Sequence, residues 1–409
     1  MTSLAEHPPA DYDERQALCE AARALYISLE RPLDTMHRLF WSVSLSPPSM
    51  RLVQSQSFEP LLIGPCQVAQ LPVVQVGIDM GVFRSMAADP GKNWTIEMLA
   101  EKVGSDQVLL YRLLRYLGSF GLLQENPDST YSATATTAWL ATEGAEGGVK
   151  HYQQNISPVL AALPETLKQQ GYRNPSDSSH TAFQLAHHTD KPAYSWVPPD
   201  HSGITAFVAF MKAQREGQKA WTDSFPIAPL KLSDSELEGG RTLFVDVGGS
   251  TGQQCMALRQ QYPSLHGGVV LQEQERIIAA VNKEALASYG IDAQAHDFFQ
   301  EQPVKGAKAY YMRNIMHDWP DGRCIAILQR LRDACADDSM VLIDEMVLPD
   351  QGASWKQAQK DIQMMAALAA MERSEAQWKE LLAKAGLKIQ QVCTYDKEMG
   401  DSVIIAVKA

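Results

Sequence analysis

The sequence predicts an α/β protein, with a doubly wound parallel sheet in its C-terminal half and an all-helical, winged-helix domain before it. Two observations predict the sheet. After Gly240, short β-branched runs alternate with helical patterns of about 10–15 residues, as parallel strands joined by crossover helices do. The last two strand patterns, LKIQQVCTYD and DSVIIAVKA, follow each other closely and predict an antiparallel hairpin at one edge of that sheet.

A third observation predicts the winged helix. Thr95 can cap a short helix, IEMLAEKV, which Gly104 ends. Ser105 and Asp106 can then cap a second helix, QVLLYRLLRYLGSFG. The segment QENPDSTYSAT is typical of a turn with a short β wing. Helix, turn, helix and wing in this order form a winged-helix pattern.

A winged helix can bind DNA through its second helix, or it can serve for packing and dimerisation. The second helix offers only Arg112 and Arg115 as basic residues and is otherwise largely apolar. The chain has 36 basic and 48 acidic residues, a net charge of −12, whereas DNA binding requires a basic face. The sequence therefore favours dimerisation and predicts no nucleic-acid partner.

The composition is that of a globular protein, with 45% hydrophobic and 21% charged residues. The N-terminal segment is polar and acidic, unlike a secretory signal, and no run of about 18 apolar residues could span a membrane. The six cysteines are widely spaced and form no C-x-x-C pair, which is typical of free thiols in a reducing compartment and not of a zinc site. We expect a cytoplasmic protein without a membrane partner.

Three segments are expected along the chain. Residues 1–150 form the helical and winged-helix domain, with further helical patterns from about Asp11 to Phe40 and from Glu59 to Phe83. Residues 151–235 form a linker with helices that line a pocket, and residues 236–409 form the sheet domain.

The linker contains a polar stretch, Gly171–Pro199, that is predicted to be rich in loops. His187 and His188 lie in it and are expected to be solvated, since no third ligand is spaced to complete a metal site. A helix, TAFVAFMKAQREGQKAW, is predicted to follow.

A glycine-rich turn, Val245–Gly252 (VDVGGSTG), follows the first strand of the sheet domain. Glycines let a ligand approach the backbone, and the next helix offers free N–H groups at its N-terminus. Asp246 would repel a phosphate, so the turn suits a cationic or zwitterionic ligand; the alternative is simply a tight turn. Glu273 ends the second strand, where an acid can hold ribose hydroxyls, and the pair predicts a nucleoside site. Asp297 and Phe298 could add a hydrogen bond and an apolar face for adenine.

A second motif, Arg313–Trp319 (RNIMHDW), follows the fourth strand. His317 lies where ligands bind in open α/β sheets, and an ordinary histidine pKa near 6.5 suits a general base. The alternative is a structural histidine that caps the next helix. Glu345, expected to end the next strand, and Glu372, expected to end a Met-rich helix, favour chemistry, because acids that converge on an imidazole fix its tautomer and stabilise the imidazolium. Asp318 is predicted to cap the following helix.

Methionines and phenylalanines recur around these motifs. They are Met211, Met312, Met316, Met364, Met365, Met371, Phe207 and Phe210. Methionine at helical spacing is typical of core packing, but soft side chains also suit a pocket for flat, apolar substrates.

The combined pattern resembles the S-adenosylmethionine-dependent O-methyltransferases of the caffeate and flavonoid type, particularly their fungal polyketide branch. The resemblance covers roughly residues 60–409. VDVGGSTG resembles the first cofactor motif of the family, MRNIMHDW its catalytic segment, and the winged helix its dimerisation domain. The resemblance implies a Rossmann-like methyltransferase sheet, a winged-helix dimerisation domain and a homodimer.

The resemblance also implies S-adenosylmethionine as cofactor, a small-molecule substrate and no metal. The implied catalytic residues are His317, Glu345 and Glu372. The implied cofactor-binding residues are Asp246, Gly248, Gly249, Gly252, Glu273, Asp297, Phe298 and Arg313, and the substrate-binding residues are His151, Phe207, Met211 and Met365. The chain departs from the family in one place: Gln272–Glu275 (QEQE) stands where Asp-Leu-Pro is usual, and Glu273 keeps the charge with one more methylene.

Three functions are compatible with these residues. The first is O-methyl transfer to a phenol or enol hydroxyl, with His317 as the base. The second keeps the fold and cofactor but carries out a dehydration or pericyclic reaction, with the sulfonium as a fixed charge and with His151 and Arg313 polarising a carbonyl. The third is a non-catalytic regulatory protein. The complete set of His317, Glu345 and Glu372 favours methyl transfer, and the acidic composition argues against the regulatory alternative.

Overall fold

The computed structural model describes residues 69–196, 209–211, 213 and 219–409, and before them positions 21, 25, 29–31 and 34–35. Most of the helix predicted at Asp11–Phe40, the first half of the one at Glu59–Phe83 and most of the one that includes Phe207 lie outside these residues. The chain divides into two compact units, of which the first is Met1–Pro158 with Val197–Glu216 and the second is Val159–Trp196 with Gly217–Ala409. The predicted boundaries at residues 150 and 235 stay a prediction.

The first unit contains the predicted helix, turn, helix and wing. Its elements are α1 (Gln70–Asp79), α2 (Val82–Ala87), α3 (Ile96–Val103), α4 (Gln107–Ser119), β1 (Gln124–Glu125), β2 (Tyr131–Ser132), α5 (Ala135–Leu140) and α6 (Glu143–His151). Thr95 caps α3 by accepting the N–H of Met98, and Gly104 ends it with a φ of 69°. Asp106 caps α4 by accepting the N–H of Leu109.

Helix α4 has two faces. Leu110, Leu114 and Leu117 are fully buried, whereas Val108 and Leu109 are 67% and 46% exposed. An apolar pair left on the surface of a helix is a surface that another protein can cover. Downstream, a single π-helical turn (Tyr152–Ile156) joins α6 to α7 (Ser157–Gln169).

The second unit is built on one mixed sheet. Its helices are α8 (Ala182–His187), α9 (Asp234–Glu238), α10 (Gln253–Gln261), α11 (Glu275–Ile278), α12 (Lys283–Ser288), α13 (Asp321–Ala334), α14 (Trp355–Leu368) and α15 (Glu375–Lys384). Its strands are β3 (Thr242–Val247), β4 (Gly268–Glu273), β5 (Ile291–Ala295), β6 (Ala309–Arg313), β7 (Met340–Leu348), β8 (Arg373–Ser374), β9 (Leu387–Asp396) and β10 (Asp401–Lys408).

The strand order is β5-β4-β3-β6-β7-β10-β9, and β8 pairs with β7 off this path. The first five strands of the order run parallel, while β10 is antiparallel to both β7 and β9. The doubly wound sheet and the hairpin at its edge are therefore confirmed.

Helices cover both faces of the sheet. Leu342 of β7 packs in a core that includes residues of α10, α11 and α12, while Val341 and Ile343 pack on the other side with α13 and α15. Because successive side chains of a strand point to opposite faces, the adjacent acids Asp344 and Glu345 also face opposite sides of β7. This alternation separates their roles.

Two local predictions were wrong in detail. The pattern ERIIAAVNKEALASYG (residues 275–290), which on its own predicts one helix closed by a glycine, forms two short helices, α11 and α12, because Asn282 caps the second by accepting the N–H of Ala285. The stretch expected to be loops contains α8, and the ring of His187 packs against Phe183 and Trp196, with centroids 4.5 and 4.7 Å away, so it is half-buried and not solvated.

Within the described part of the chain, every helix is too short or too polar to cross a bilayer.

Candidate active site

The glycine-rich turn after β3 has no room for side chains. Gly248 and Gly252 have φ angles of 75° and 81°, which L-residues with a Cβ rarely adopt. A Cβ on Gly249 would lie 2.4 Å from the carboxyl carbon of Asp246 and 2.6 Å from Leu271 Cδ1. Close packing and backbone conformation therefore require glycine at these three positions before α10.

Asp246 is buried beneath this turn and is 1% exposed. Its carboxylate accepts a hydrogen bond from the thiol of Cys255, at 3.5 Å. Burial raises the pKa of Asp246 to about 7. Asp246 therefore packs against the buried side of the glycine-rich turn, next to Gly249.

Glu273 ends β4 as predicted and braces the turn from the side. Its Oε2 accepts the N–H of Ser250 at 3.1 Å, and its Oε1 accepts the N–H of Gln274 at 2.8 Å. The carbonyl of Gln272 accepts the N–H of Gly248 at 2.8 Å. The glutamate that replaces the usual aspartate thus lies beside the glycine-rich turn.

Asp297 and Phe298 follow β5 and differ in placement. A Cβ on Gly248 would lie 3.7 Å from Phe298 Cε1, so this ring lies against the turn. Asp297 is exposed, and its Oδ1 accepts the N–H of Phe299 within its own loop. Among this pair, Phe298 is the better placed to contact a ligand at the turn.

His317 lies in a short 3-10 turn, Met316–Asp318, between β6 and α13 and is 8% exposed. Its Nδ1 and Glu372 Oε1 are 2.9 Å apart. Burial lowers the pKa of His317, but the carboxylates of Asp318, Glu372 and Glu345 outweigh it and raise the pKa to about 9. Burial raises the pKa of Glu372, but the cations Lys360 and His317 lower it to about 2.

Glu345 lies inside β7 and not at its end, as the sequence analysis expected. Its Oε1 accepts the N–H groups of Ile315 and Met316, at 2.8 and 2.7 Å. Its Oε2 has no hydrogen-bond partner among the described residues and is 3.9 Å from His317 Nδ1. Glu345 therefore fixes the backbone of the histidine turn and faces the imidazole. Burial raises its pKa to about 7.

Glu372 comes after the end of α14 and not at its last turn, because α14 stops at Leu368. The N–H of Glu372 donates to Asp361 Oδ1 at 2.9 Å, which ties the segment back to the helix. The two predicted acids thus both approach His317, Glu372 directly and Glu345 at a longer distance.

Asp318 is not the cap of α13, whose N-cap is Pro320. Its Oδ1 lies 3.4 Å from His317 Nε2, on the side of the ring opposite Glu372. Tyr194, from a short 3-10 turn at Ala193–Ser195, hydrogen bonds to the Asp318 carboxylate. Tyr194 extends the network towards the surface, since its side chain is 51% exposed.

Arg313 ends β6 on the other face of the sheet. Its Nε lies 3.3 Å from Asp344 Oδ2, and its terminal nitrogen donates to the hydroxyl of Tyr395 at 3.4 Å. Tyr311 and Tyr395 both donate to the Asp344 carboxylate. Asp344 therefore holds Arg313 at the carboxyl end of the sheet.

The predicted pocket residues are placed separately. His151 packs near Tyr152 and Phe210, and Asn155 donates to its Nδ1 at 3.0 Å. Met211 is half-buried in the first unit, and Met365 is half-buried on α14 of the second. Phe207 lies outside the described residues.

Known proteins match almost the whole chain. Residues 205–388 match the family model described as the O-methyltransferase domain, and residues 70–143 match the O-methyltransferase dimerisation domain. O-methyltransferase lepI of Aspergillus flavus is 35% identical over 93% of this chain and 91% of its own length. Demethylsterigmatocystin 6-O-methyltransferase of Aspergillus parasiticus is 34% identical over 84% of this chain and 86% of its own.

The chain belongs to the S-adenosylmethionine-dependent O-methyltransferase family. A solved structure of LepI in complex with SAM is similar over the whole of this chain and 97% of that one, with a TM-score of 0.79 and 32% identity. A structure named "A Pericyclic Reaction enzyme" has a TM-score of 0.78 and 32% identity over the same shares. The cofactor of this O-methyltransferase is S-adenosylmethionine.

The turn of this O-methyltransferase fits that cofactor. Gly248, Gly249 and Gly252 leave the backbone bare, and Glu273 ends the neighbouring strand with a carboxylate where a ribose can be bound. Asp246 beneath the turn adds an acid that suits a cationic ligand. These groups are compatible with the cofactor, and the assignment of the residues that bind it stays a prediction.

Three residues of the site were missed by the sequence analysis: Lys360, Tyr194 and Arg373. Arg373 is 1% exposed and donates to the carbonyls of Met316 and Trp319, each at 3.1 Å, so it fixes both ends of the histidine turn. The signal for Arg373 was its place next to Glu372 in MERSEAQW. Tyr194 is separated from the motifs by the predicted loops and carried no signal.

His317, Glu345 and Glu372 place one potential metal ligand each within 4.8 Å of one another. Two contacts argue against a metal ion there. Glu372 Oε1 already faces His317 Nδ1 at 2.9 Å and Lys360 Nζ at 3.3 Å. An ammonium group this close to the carboxylate would repel a second cation.

Proposed function

We propose that the enzyme methylates a phenol or enol hydroxyl of a small, polyketide-like secondary metabolite, with His317 as general base and without a metal. One observation carries the proposal. His317 Nδ1 is 2.9 Å from Glu372 Oε1, so in the neutral ring Nδ1 keeps its proton and Nε2 is the nitrogen that can accept one. This is the tautomer that a base needs.

The chain's residues divide the work. Nε2 of His317 accepts the hydroxyl proton as the oxygen becomes a nucleophile, and Glu372 stabilises the imidazolium that forms. Glu345 and Arg373 hold the turn that carries the ring. When bound, S-adenosylmethionine supplies an electrophilic methyl group on a good leaving group. General-base catalysis of this type contributes about 10²–10⁴-fold, and positioning contributes much of the rest.

The proposal assigns the cofactor to the glycine-rich turn. Glu273 would hold the ribose, and Phe298 with Asp297 would contact the adenine. Gly248, Gly249, Gly252 and Asp246 would form the cradle. Arg313 would lie towards the carboxylate end of the cofactor. Its contact with Asp344 supports a fixed guanidinium there.

The predicted substrate-binding residues are His151, Phe207, Met211 and Met365, and each of them stays a prediction. Burial lowers the pKa of His151 to about 4, so its ring is neutral at physiological pH. Because Asn155 donates to Nδ1, the proton of the neutral ring is on Nε2, which can donate to a substrate oxygen. Methionines provide the soft, adaptable walls that flat substrates need.

The proposal also includes a cytoplasmic homodimer. The match of residues 70–143 to a dimerisation domain supports the dimer, as does the exposed apolar pair Val108 and Leu109 on α4.

The proposal is tested by product analysis. The purified enzyme is incubated with S-adenosylmethionine carrying a deuterated methyl group and with a panel of phenolic and enolic polyketides. The expected product gains the labelled methyl on oxygen. A product of unchanged mass or one that has lost water, formed only with cofactor present, would instead support the second candidate.

That second candidate is a dehydration or pericyclic reaction in which the cofactor is not consumed. It is favoured by the similarity to the structure named "A Pericyclic Reaction enzyme" and by the neutral, half-buried His151 as a donor to a carbonyl. The pairing of His317 with Glu372 favours methyl transfer, because a fixed sulfonium charge alone needs no base.

A further inference from the structure

Lys360 is the residue of this site whose role the proposed function leaves open. It lies on α14, and its side chain is 20% exposed. Its Nζ is 3.3 Å from Glu372 Oε1, the same oxygen that lies 2.9 Å from His317 Nδ1. One carboxylate oxygen therefore faces two basic groups, one of which has to lose its proton to act as a base.

The imidazole of His317 is surrounded by negative charge. Glu372 faces Nδ1 at 2.9 Å, Glu345 faces it at 3.9 Å from β7, and Asp318 faces Nε2 at 3.4 Å from its own turn. Tyr194 hydrogen bonds to Asp318 and also interacts electrostatically with Glu345. Three carboxylates hold a proton on the ring, and a protonated ring cannot accept the proton of a substrate.

Lys360 is the cation that opposes this charge from α14. Besides Glu372, its ammonium faces Glu345 and Asp401. The next residue of the helix, Asp361, accepts the N–H of Glu372 at 2.9 Å. Two successive residues of α14 thus fix the position of Glu372. Asp361 accepts its backbone N–H, and Lys360 attracts its carboxylate.

We propose that Lys360 is a positioning residue for the base. It shares Glu372 Oε1 with His317 and offsets part of the negative charge that keeps the imidazole protonated. This inference rests on the proposed role of His317 in methyl transfer. Without Lys360, the negative charge of Glu372 would act on the imidazolium undiminished, and fewer molecules would carry a neutral base at neutral pH.

The size of the effect follows from the geometry. Lys360 Nζ and His317 Nδ1 both lie close to one oxygen, so they are at most about 6 Å apart. At an effective dielectric constant of about 20, removing a unit charge at that distance raises the pKa of His317 by about one to two units. At pH 7 the rate would fall by about 10- to 100-fold, and at pH 10 the deficit would shrink to about 2- to 10-fold.

The experiment compares Lys360→Met, which removes the positive charge, with Lys360→Arg, which keeps it. Lys356→Met is the matched control. Lys356 lies one turn earlier on α14 and pairs with Glu398 instead. Two readouts are needed: the pH dependence of kcat, and an NMR titration of His317 in enzyme with labelled histidine. The resonance is assigned by its absence in His317→Gln. Lys360→Gln, which keeps a hydrogen bond to Glu372, replaces Lys360→Met if circular dichroism finds the latter unfolded.

The expected result is a titration of His317 at higher pH in Lys360→Met, with the acid limb of kcat displaced equally, and wild-type behaviour in Lys360→Arg and Lys356→Met. An unchanged His317 titration in folded Lys360→Met or Lys360→Gln overturns the proposal. The titration needs no methyl acceptor. A displaced titration in an enzyme that transfers no methyl group therefore supports the electrostatic role of Lys360 and contradicts the proposed function.

Discussion

Replacing Glu372 by glutamine tests how the acid and the base act together. Glu372→Gln keeps the shape of the side chain and an oxygen that can accept from His317 Nδ1, but it removes the charge. The imidazolium that forms during proton transfer loses its nearest anion, which lies 2.9 Å away. At an effective dielectric constant of about 20 the Coulomb energy at this distance is about 6 kcal/mol. Because the glutamine oxygen still accepts from Nδ1, we expect a loss of about 2–4 kcal/mol, or roughly 30- to 1,000-fold in rate where the base of both enzymes is neutral.

The same change has an opposite effect at lower pH. With its pKa raised to about 9, His317 is neutral in about 1% of wild-type molecules at pH 7. Loss of Glu372 removes one of the carboxylates that raise this pKa, so a larger fraction of the variant is neutral at that pH. The variant should therefore be less impaired at pH 7 than near pH 10, where the full deficit appears. A positive charge on the bound cofactor would lower the pKa of His317 in both enzymes. The difference between their rates would then appear at lower pH, but it would remain.

The assay is the initial rate of methyl transfer between pH 6 and 10, with cofactor and an accepted phenol or enol at saturation. Glu375→Gln is the matched control, since Glu375 is near in sequence, pairs with Lys379 at the surface and does not touch His317. The expected ratio of wild-type to variant rate rises with pH. A ratio that stays constant over the whole range would refute the coupling between Glu372 and the protonation of His317.

Three further predictions follow from the cradle and the turn. Gly249→Ala should lower the affinity for S-adenosylmethionine by about 10- to 100-fold in calorimetry, since its Cβ would overlap Asp246. The control Gly322→Ala, whose Cβ would have nothing within 4 Å, should bind the cofactor normally. Equal affinities in the two variants would contradict the cradle. Glu273→Ala should weaken cofactor binding by about 10- to 100-fold through loss of a charge-assisted hydrogen bond, and Glu273→Asp should recover most of the lost affinity. Full affinity in the alanine variant would exclude ribose binding by this residue. Arg373→Met should lower the free energy of unfolding by about 2–5 kcal/mol in urea titrations, because it removes a buried guanidinium that donates to two carbonyls and to the Asp321 carboxylate. A wild-type transition would contradict that role.

The sheet could be predicted from the sequence because its signals are local. β-branched runs such as TLFVDV bury both faces, and the helices between them have the ordinary period. The winged helix was equally predictable, since Thr95 and Asp106 cap their helices with their own side chains. Local signals failed where a cap inside a helical pattern decided the outcome, as Asn282 does between α11 and α12.

The site was only partly predictable, because its contacts join distant segments. His317, Glu345 and Glu372 were found by the motifs around them. Glu345 was nevertheless expected at the end of its strand. Its position inside β7 matters because side chains alternate along a strand, so Glu345 faces the histidine and Asp344 faces Arg313. Lys360 reaches Glu372 only because the chain turns back after α14, and nothing in its helical pattern predicts this.

His317 is proposed to be the base of a methyl transfer. The most direct test of this role is the single-turnover rate of His317→Ala with S-adenosylmethionine bound. Calorimetry on the same variant must first give wild-type affinity for the cofactor, which separates binding from chemistry. We expect intact binding and a rate lowered by about 10²–10⁴-fold. A wild-type rate in this variant would contradict the claim and would assign His317 a structural role in its turn.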